Sequence, residues 1–228
     1  MNEPVHSALK TPSSPAKAAA RTTSRTNDPA RTMAGILEVA TAEFANKGLS
    51  GARIDEIAAA TSTSKRMIYY YFGSKEGLYL AVLEAAYRRM REIEAELRLE
   101  DLPPETGLRR LVEFTFEHHR GNEDYIRLVM NENMERGVYL AQSKNIKTLN
   151  VTAIDAIRKL YERGVVSGAF RPGLEPIDIH ASISALSFFN VSNQHTFGLI
   201  FKADARSPEA IAARRDSIIE MVIRFVRA

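Results

Sequence analysis

Cysteine is absent from the 228 residues, so neither a disulfide framework nor a thiolate-ligated metal site can form. That suits a reducing cytoplasm, the compartment expected for this chain. Charge of one sign is missing as well, since 31 Lys and Arg against 28 Asp and Glu leave a net +3. The whole chain is no polycation, and any affinity for nucleic acid must come from a local concentration of charge. No apolar run approaches the length of a membrane span, so no membrane partner is expected. Catalytic signatures are lacking too: there is no phosphate loop, no nucleophile elbow and no HExxH. No catalytic residue is nominated and catalysis is not expected. His118 and His119 are adjacent, so on a helix they face different points, and the chain has no H-x3-H pair. No metal and no other cofactor is expected. Strand alternation and internal repeats are not visible.

What is present is apolar side chain at helical spacing. Hydrophobic residues make up 45% of the chain, ample for a buried core. Residues 1–27 stand apart, rich in Ala, Ser, Thr and Pro with almost no large apolar residue. Such a stretch cannot bury enough surface to offset its ordering entropy, and disorder is expected. It lacks the apolar centre of a secretory signal, and its prolines argue against a transit peptide. Arg21 and Arg25 either reach phosphates or a minor groove, as basic arms do, or belong to a plain solvated tail.

From Asp28 onward the expectation is an all-α chain. Asp28 caps a first helix with Pro29 in its first position, and Met33, Ile36, Leu37, Ala40 and Phe44 form one face up to Gly48. Ile54 to about Ala60 is a second helix. A polar turn, Thr61-Ser62-Thr63, leads to Ser64, which caps a third helix running to about Phe72. Ile68 and Phe72, four apart, face inward; Arg66 and Tyr70, also four apart, face outward, with Met67 and Tyr71 flanking them. Gly73 stops this helix and Ser74 caps the next. Lys75 lies in that helix's first turn, where a cation opposes the dipole, so it is expected to face something anionic. Further helices are expected from Ser74 to about Arg98, over 105–120, 123–135 and 138–163 with Gly164 at its end, from Ile177 to Phe201, and from the Ser207 cap with Pro208.

The stretch GLSGARIDEIAAATSTSKRMIYYYFGSKEGLYLAVL resembles the DNA-binding end of the tetracycline-repressor (TetR) family of bacterial regulators. The matching elements are Gly48, Ile57-Ala58, Ser64-Lys65, Tyr69-Tyr70-Tyr71-Phe72 and Ser74-Lys75-Glu76, all in one spacing across about residues 31–83. The resemblance implies a disordered arm (1–27), a three-helix helix-turn-helix domain (28–73) and a helical effector-binding and dimerisation domain (74–228). It implies Tyr69, Tyr71 and Lys75 on phosphates, Ser64 and Lys65 near the backbone, and Arg66, Met67 and Tyr70 facing bases. Arg66 has the fork to read guanine O6 and N7, and Met67 suits a thymine methyl group. For the tyrosines the alternative is a wall on the core. Two departures bear on phosphate contacts: Ala52 stands where the family has a capping Thr or Ser, so Ser50 or the backbone must substitute, and Ser62 replaces the turn glycine and bears a positive φ.

A DNA-reading head alone needs far less chain, so the extra helices suggest a pocket between packed helices. His118, His119, Asn131, Asn190, Gln194 and His195 are polar residues on otherwise apolar stretches. Either they hold a ligand or they are satisfied polar spots in the core or a dimer seam. The last two long helices, with the small residues of His180–Ser187, offer a homodimer surface. The expectation is a ligand-responsive repressor that binds a palindromic double-stranded operator as a dimer and is released by a small-molecule effector. The alternatives are a constitutive architectural DNA-binding protein without a ligand, and a helical enzyme with a vestigial head.

Overall fold

The computed structural model describes Met1, residues 28–202 and residues 207–228. The proposed arm, with Arg21 and Arg25, lies outside the described residues. The described residues form ten α-helices: α1 (Pro29–Gly51), α2 (Ile54–Ala60), α3 (Lys65–Phe72), α4 (Lys75–Ala95), α5 (Pro104–Gly121), α6 (Glu123–Met134), α7 (Lys144–Val166), α8 (Pro176–Ser192), α9 (Gln194–Phe201) and α10 (Pro208–Val226). Among them no strand forms; one isolated bridge pairs Phe170 with Arg227.

The caps sit where the sequence puts them. Asp28 accepts from the Ala30 amide at 3.0 Å, Ser64 from Met67 at 3.2 Å, Ser74 from Gly77 at 3.0 Å and Ser207 from Ala210 at 3.2 Å. Each satisfies an amide that a helix start leaves without a partner. Gly48, at φ 65° and ψ 174°, interrupts α1 in a conformation that only glycine adopts readily.

Three expectations need correction. The helix placed over 138–163 starts only at Lys144. Ser143 takes the cap position, accepting from the Ile146 amide at 3.1 Å, and a 3-10 turn, Leu140–Gln142, precedes it. That helix also continues past Gly164, and the left-handed residue beyond its end is Gly168 at φ 74°. The helix placed over Ile177–Phe201 breaks at Asn193 (φ −109°, ψ 4°), whose carboxamide donates to the Ser192 hydroxyl at 2.8 Å.

Two cores hold the molecule. In the first, Ile36, Ala40 and Phe44 of α1 meet Ile57 of α2, Ile68 of α3 and Leu78, Tyr79, Val82 and Leu83 of α4. It also takes in Leu128 of α6 and Ile146 of α7, so the head is packed on the helical body through the same core. The second joins α5, α7, α8 and α10 through residues such as Leu111, Phe116, Ile157, Leu160, Ile183, Ile218 and Val222. Polar bonds reinforce the junction: Asn131 Nδ2 donates to the Phe44 carbonyl at 3.2 Å, Arg127 to Asn46 Oδ1 at 3.4 Å, and the Ser143 hydroxyl to Glu84 at 2.6 Å. Gly77 sets the angle at which α4 leaves α3, because a Cβ there would lie 2.1 Å from the Phe72 carbonyl oxygen.

Candidate nucleic-acid interface

The outward face of α3 follows from its short length. Ile68 is fully buried against the first core, and that single anchor fixes which side of the helix faces out. Arg66 is exposed and makes no ion pair among the described residues. Tyr70 is 77% exposed and Tyr69 45%. Met67 and Tyr71 are half-buried at the flanks, with Tyr71 set edge-on to Tyr70 at a centroid distance of 5.3 Å. A tyrosine exposed to that degree forfeits much of the burial gain of its ring, so Tyr70 contributes little to the folded monomer.

The cations around α3 are already oriented by the protein. Lys65 Nζ lies 2.5 Å from Asp55 Oδ1 on α2, and this lysine holds the Asp55 carboxyl below its usual range. Lys75 Nζ donates to the Ser50 carbonyl at 3.3 Å, so the anionic neighbour expected for it is, within the chain, the carbonyl end of α1. The Ser64 hydroxyl spends its acceptor capacity on the Met67 amide. Neither Ser50 nor backbone replaces the side-chain cap lost at Ala52. Instead the Glu43 carboxylate of α1 accepts the Arg53 amide at 3.0 Å. Ser62 takes φ 52°, as the missing turn glycine requires. Sequence reasoning missed these pairings between helices, in which Lys47 of α1 joins Glu43 four residues before it to Glu56 of α2, and Lys65 of α3 meets Asp55 of α2.

The helical body contains a polar interior. Arg91 and Glu94 of α4 form an ion pair, each side chain about 10% exposed (9% and 10%). His118 and His119 of α5 lie beside it, ringed by Tyr125 and Phe188. Burial first, then the Arg91 charge, pulls the pKa of His118 down to about 4; His180 follows for the same reasons, and in His119 burial and His118 dominate, also giving about 4. All three are therefore neutral at pH 7. Nδ1 of His118 and of His119, Nε of Arg91 and the Ser187 hydroxyl have no hydrogen-bond partner among the described residues.

A cavity of ≈ 720 Å³ opens between the start of α6 and helices α5, α8, α9 and α10. Its apolar wall includes Phe116, Phe189, Val191, Phe197 and Ile211. Its polar lining includes Arg120, Glu123, Ser187, Asn190, Gln194 and Arg214. Of the six residues proposed to hold a ligand, Asn190 and Gln194 thus share one cavity, and His119 lies in the polar interior. His118 lies in the polar interior and along a separate groove of α1, α4 and α6. Asn131 faces the head instead, its amide nitrogen committed to Phe44. His195 is exposed, its Nε2 3.8 Å from Glu123. Arg214 was not singled out from sequence. The available signal was its place on the buried stripe of α10, three residues after Ile211 and four before Ile218.

The outer sides of α8 and α10 carry largely apolar stripes that nothing among the described residues covers. Ile177, Ala181, Ala185 and Phe189 follow at intervals of four along α8 and are all exposed, as are Ser217, Met221 and Phe225 along α10. No helix among the described residues is long and apolar enough to cross a membrane.

Two family models match the chain. Residues 36–82 match the bacterial regulatory proteins of the tetR family, and residues 104–222 match the tetracyclin repressor-like C-terminal domain. The transcriptional repressor NicS of Pseudomonas putida is 33% identical over 197 residues, covering 86% of this chain and 93% of the relative. The transcriptional repressor SCO4008 of Streptomyces coelicolor is 34% identical over 143 residues, 62% of this chain and 71% of the relative. Among solved structures, SCO4942 of Streptomyces coelicolor is similar with TM-score 0.66 at 28% identity, covering 86% of this chain and 98% of that one. A tetR-family regulatory protein from Rhodococcus RHA1 shares the fold with TM-score 0.69 at 19% identity, over 87% of this chain and 98% of that one.

Proposed function

The chain belongs to the TetR family and is a DNA-binding transcriptional regulator, and from that premise we propose that it is a repressor which binds a two-fold symmetric operator as a homodimer and lets go when a small-molecule effector enters the helical body. The observation that carries this reading is the outward face of α3. Arg66 and Tyr70 stand in solvent on a helix whose other side is pinned by Ile68. A helix so mounted fits the major groove, where Arg66 contacts base edges and Tyr69, Tyr71, Lys65 and Lys75 contact phosphates.

One head makes too few contacts for tight, selective binding, and the stripes on α8 and α10 supply the second copy. Two such stripes from each protomer meet as a four-helix bundle, with Ala181 and Ala185 allowing close approach. Helix α4 links the two halves. Its first turns lie in the head core, its middle accepts hydrogen bonds from Ser143 and Asn145 through Glu84, and its last turns carry Arg91 and Glu94 into the polar interior. An effector that favours one setting of α4 over another changes the spacing of the two heads. A ligand with equal affinity for both settings changes nothing.

The test is binding of the purified chain to the DNA upstream of its own coding region, read by footprinting and repeated with a metabolite panel. The reading requires a protected, symmetric site that some compound releases. Protection that no compound alters favours a constitutive binder, and no protection at all refutes the proposal.

A further inference from the structure

We infer that the effector cavity takes an organic monocarboxylate with an apolar body, anchored on Arg214; this rests on the ligand-responsive reading above. Three charged residues line the cavity, and two are already neutralised inside the chain. Arg120 Nη2 lies 2.7 Å from Glu117, and Glu123 accepts from Arg127 at 3.0 and 3.1 Å. Arg214 makes no ion pair among the described residues. Its one hydrogen bond among them runs from Nε to Asn190 Oδ1 at 2.9 Å. Asn190 is itself fixed, because its Nδ2 donates to the Leu186 carbonyl at 2.5 Å. The guanidinium is thereby held in one orientation while its two terminal nitrogens keep their donors.

Those facts select a ligand chemistry. A half-buried guanidinium with no counter-charge favours an anion, and its planar pair of N–H groups matches a carboxylate. One unmatched positive charge suits a monoanion; a phosphate dianion would need a second. A cation is disfavoured, since Glu123, the one carboxylate lining the cavity among the described residues, is committed to Arg127. Ser187, 1% exposed, lines the same cavity, and its hydroxyl has no partner among the described residues. Such an orphan loses hydrogen-bond energy until something supplies an acceptor or donor. The apolar lining of Phe116, Phe189, Phe197 and Ile211 offers rings and methyl groups to the rest of the molecule. A volume of ≈ 720 Å³ fits a body of ring or short-chain size.

The experiment is isothermal titration of the full chain with benzoate and octanoate, each against its neutral amide, and with the Arg214→Gln variant. At least one carboxylate should bind the natural chain, its amide about tenfold or more weakly, and Arg214→Gln should lose affinity by a similar factor. Light scattering should show the variant in the same oligomeric state as the natural chain. Equal binding of acid and amide, undiminished binding by Arg214→Gln, or no binding of either acid at millimolar concentration overturns the inference. A variant that changes oligomeric state assigns Arg214 to the subunit seam and overturns it equally. Where the variant does not fold, the acid–amide pair on the natural chain decides. DNA release is scored separately. Release by neutral or cationic compounds with no carboxylate bound removes the carboxylate and leaves ligand response standing. Carboxylate binding at Arg214 without any effect on DNA does the reverse.

Discussion

Arg66 is the residue on which sequence reading would depend. It is exposed and makes no ion pair among the described residues, so nothing within them competes for its fork. Arg66→Ala should cost about 1–3 kcal/mol of discrimination at one base pair in each half-site while leaving binding to random DNA nearly unchanged. Competition binding against operators substituted one base at a time checks this, and an unchanged preference removes Arg66 from base contact. Lys75 belongs to a different class. It bridges to the Ser50 carbonyl and has charge to share with a phosphate. Lys75→Ala should weaken all duplexes alike and reduce the salt slope by about one; an unaltered slope in a salt titration rules the contact out. The histidines make a prediction about acid. His118, His119 and His180 titrate near 4 in the fold, against an ordinary value of 6.5. Between those values the unfolded chain binds more protons, so stability is complete above about pH 6.5 and declines as pH falls towards 4. Each contributes up to about 1.4 kcal/mol per pH unit in that window. Thermal melts from pH 7 to 5 should show a falling midpoint, and His119→Gln should make the fall shallower. The carboxylates with lowered values begin to matter only from about 4.5 downward, below the pH 7 to 5 span of the melts.

At the scale of elements, capping chemistry made four of the ten described helix starts legible. Asp28, Ser64, Ser74 and Ser207 are short polar residues ahead of an apolar periodicity, and each does cap. What local pattern could not reveal was competition between neighbours. Val138 to Ser143 carries enough apolar spacing to pass for a helix, yet Glu132 reaches forward to accept the Leu140 amide at 2.9 Å and folds the segment back. Asn193 likewise sits in an apolar run whose periodicity conceals the break. The packing of α3 on α4 is equally invisible in sequence, since it depends on what Gly77 lacks. Gly77→Ala should destabilise the chain by about 1–3 kcal/mol despite alanine's better helix propensity, because the clashing atom is a backbone carbonyl that cannot swing away. A denaturant melt tests it; a variant as stable as the natural chain would mean that α3 and α4 can separate freely.

For the whole molecule, the tyrosine-bearing motif near Ser64–Phe72 and the amphipathic helices beyond it were enough to expect a head and a helical body. The faces of α3 were legible because Ile68 and Phe72 repeat at four and Arg66 and Tyr70 repeat opposite. The junction and the cavity were not, because they join residues far apart in the chain: Asn131 with Phe44, Arg127 with Asn46, Arg214 with Asn190. Asn131 looked like a ligand contact for the same reason that it binds the head, being a polar residue on an apolar face. The first two of these bonds tie α6 to α1 beside the first core, which α4 and α6 share with the head, so a shift of α4 or α6 is expected to move the head. The account stands or falls on whether α3 reads duplex sequence in symmetric pairs. Selection of duplexes from a random library by the purified chain, at moderate ionic strength, measures this directly. The account predicts an enriched motif of two inverted half-sites whose centres lie about 34 Å, or a multiple of that, apart. Recovery of sequences no different from the starting library would contradict it.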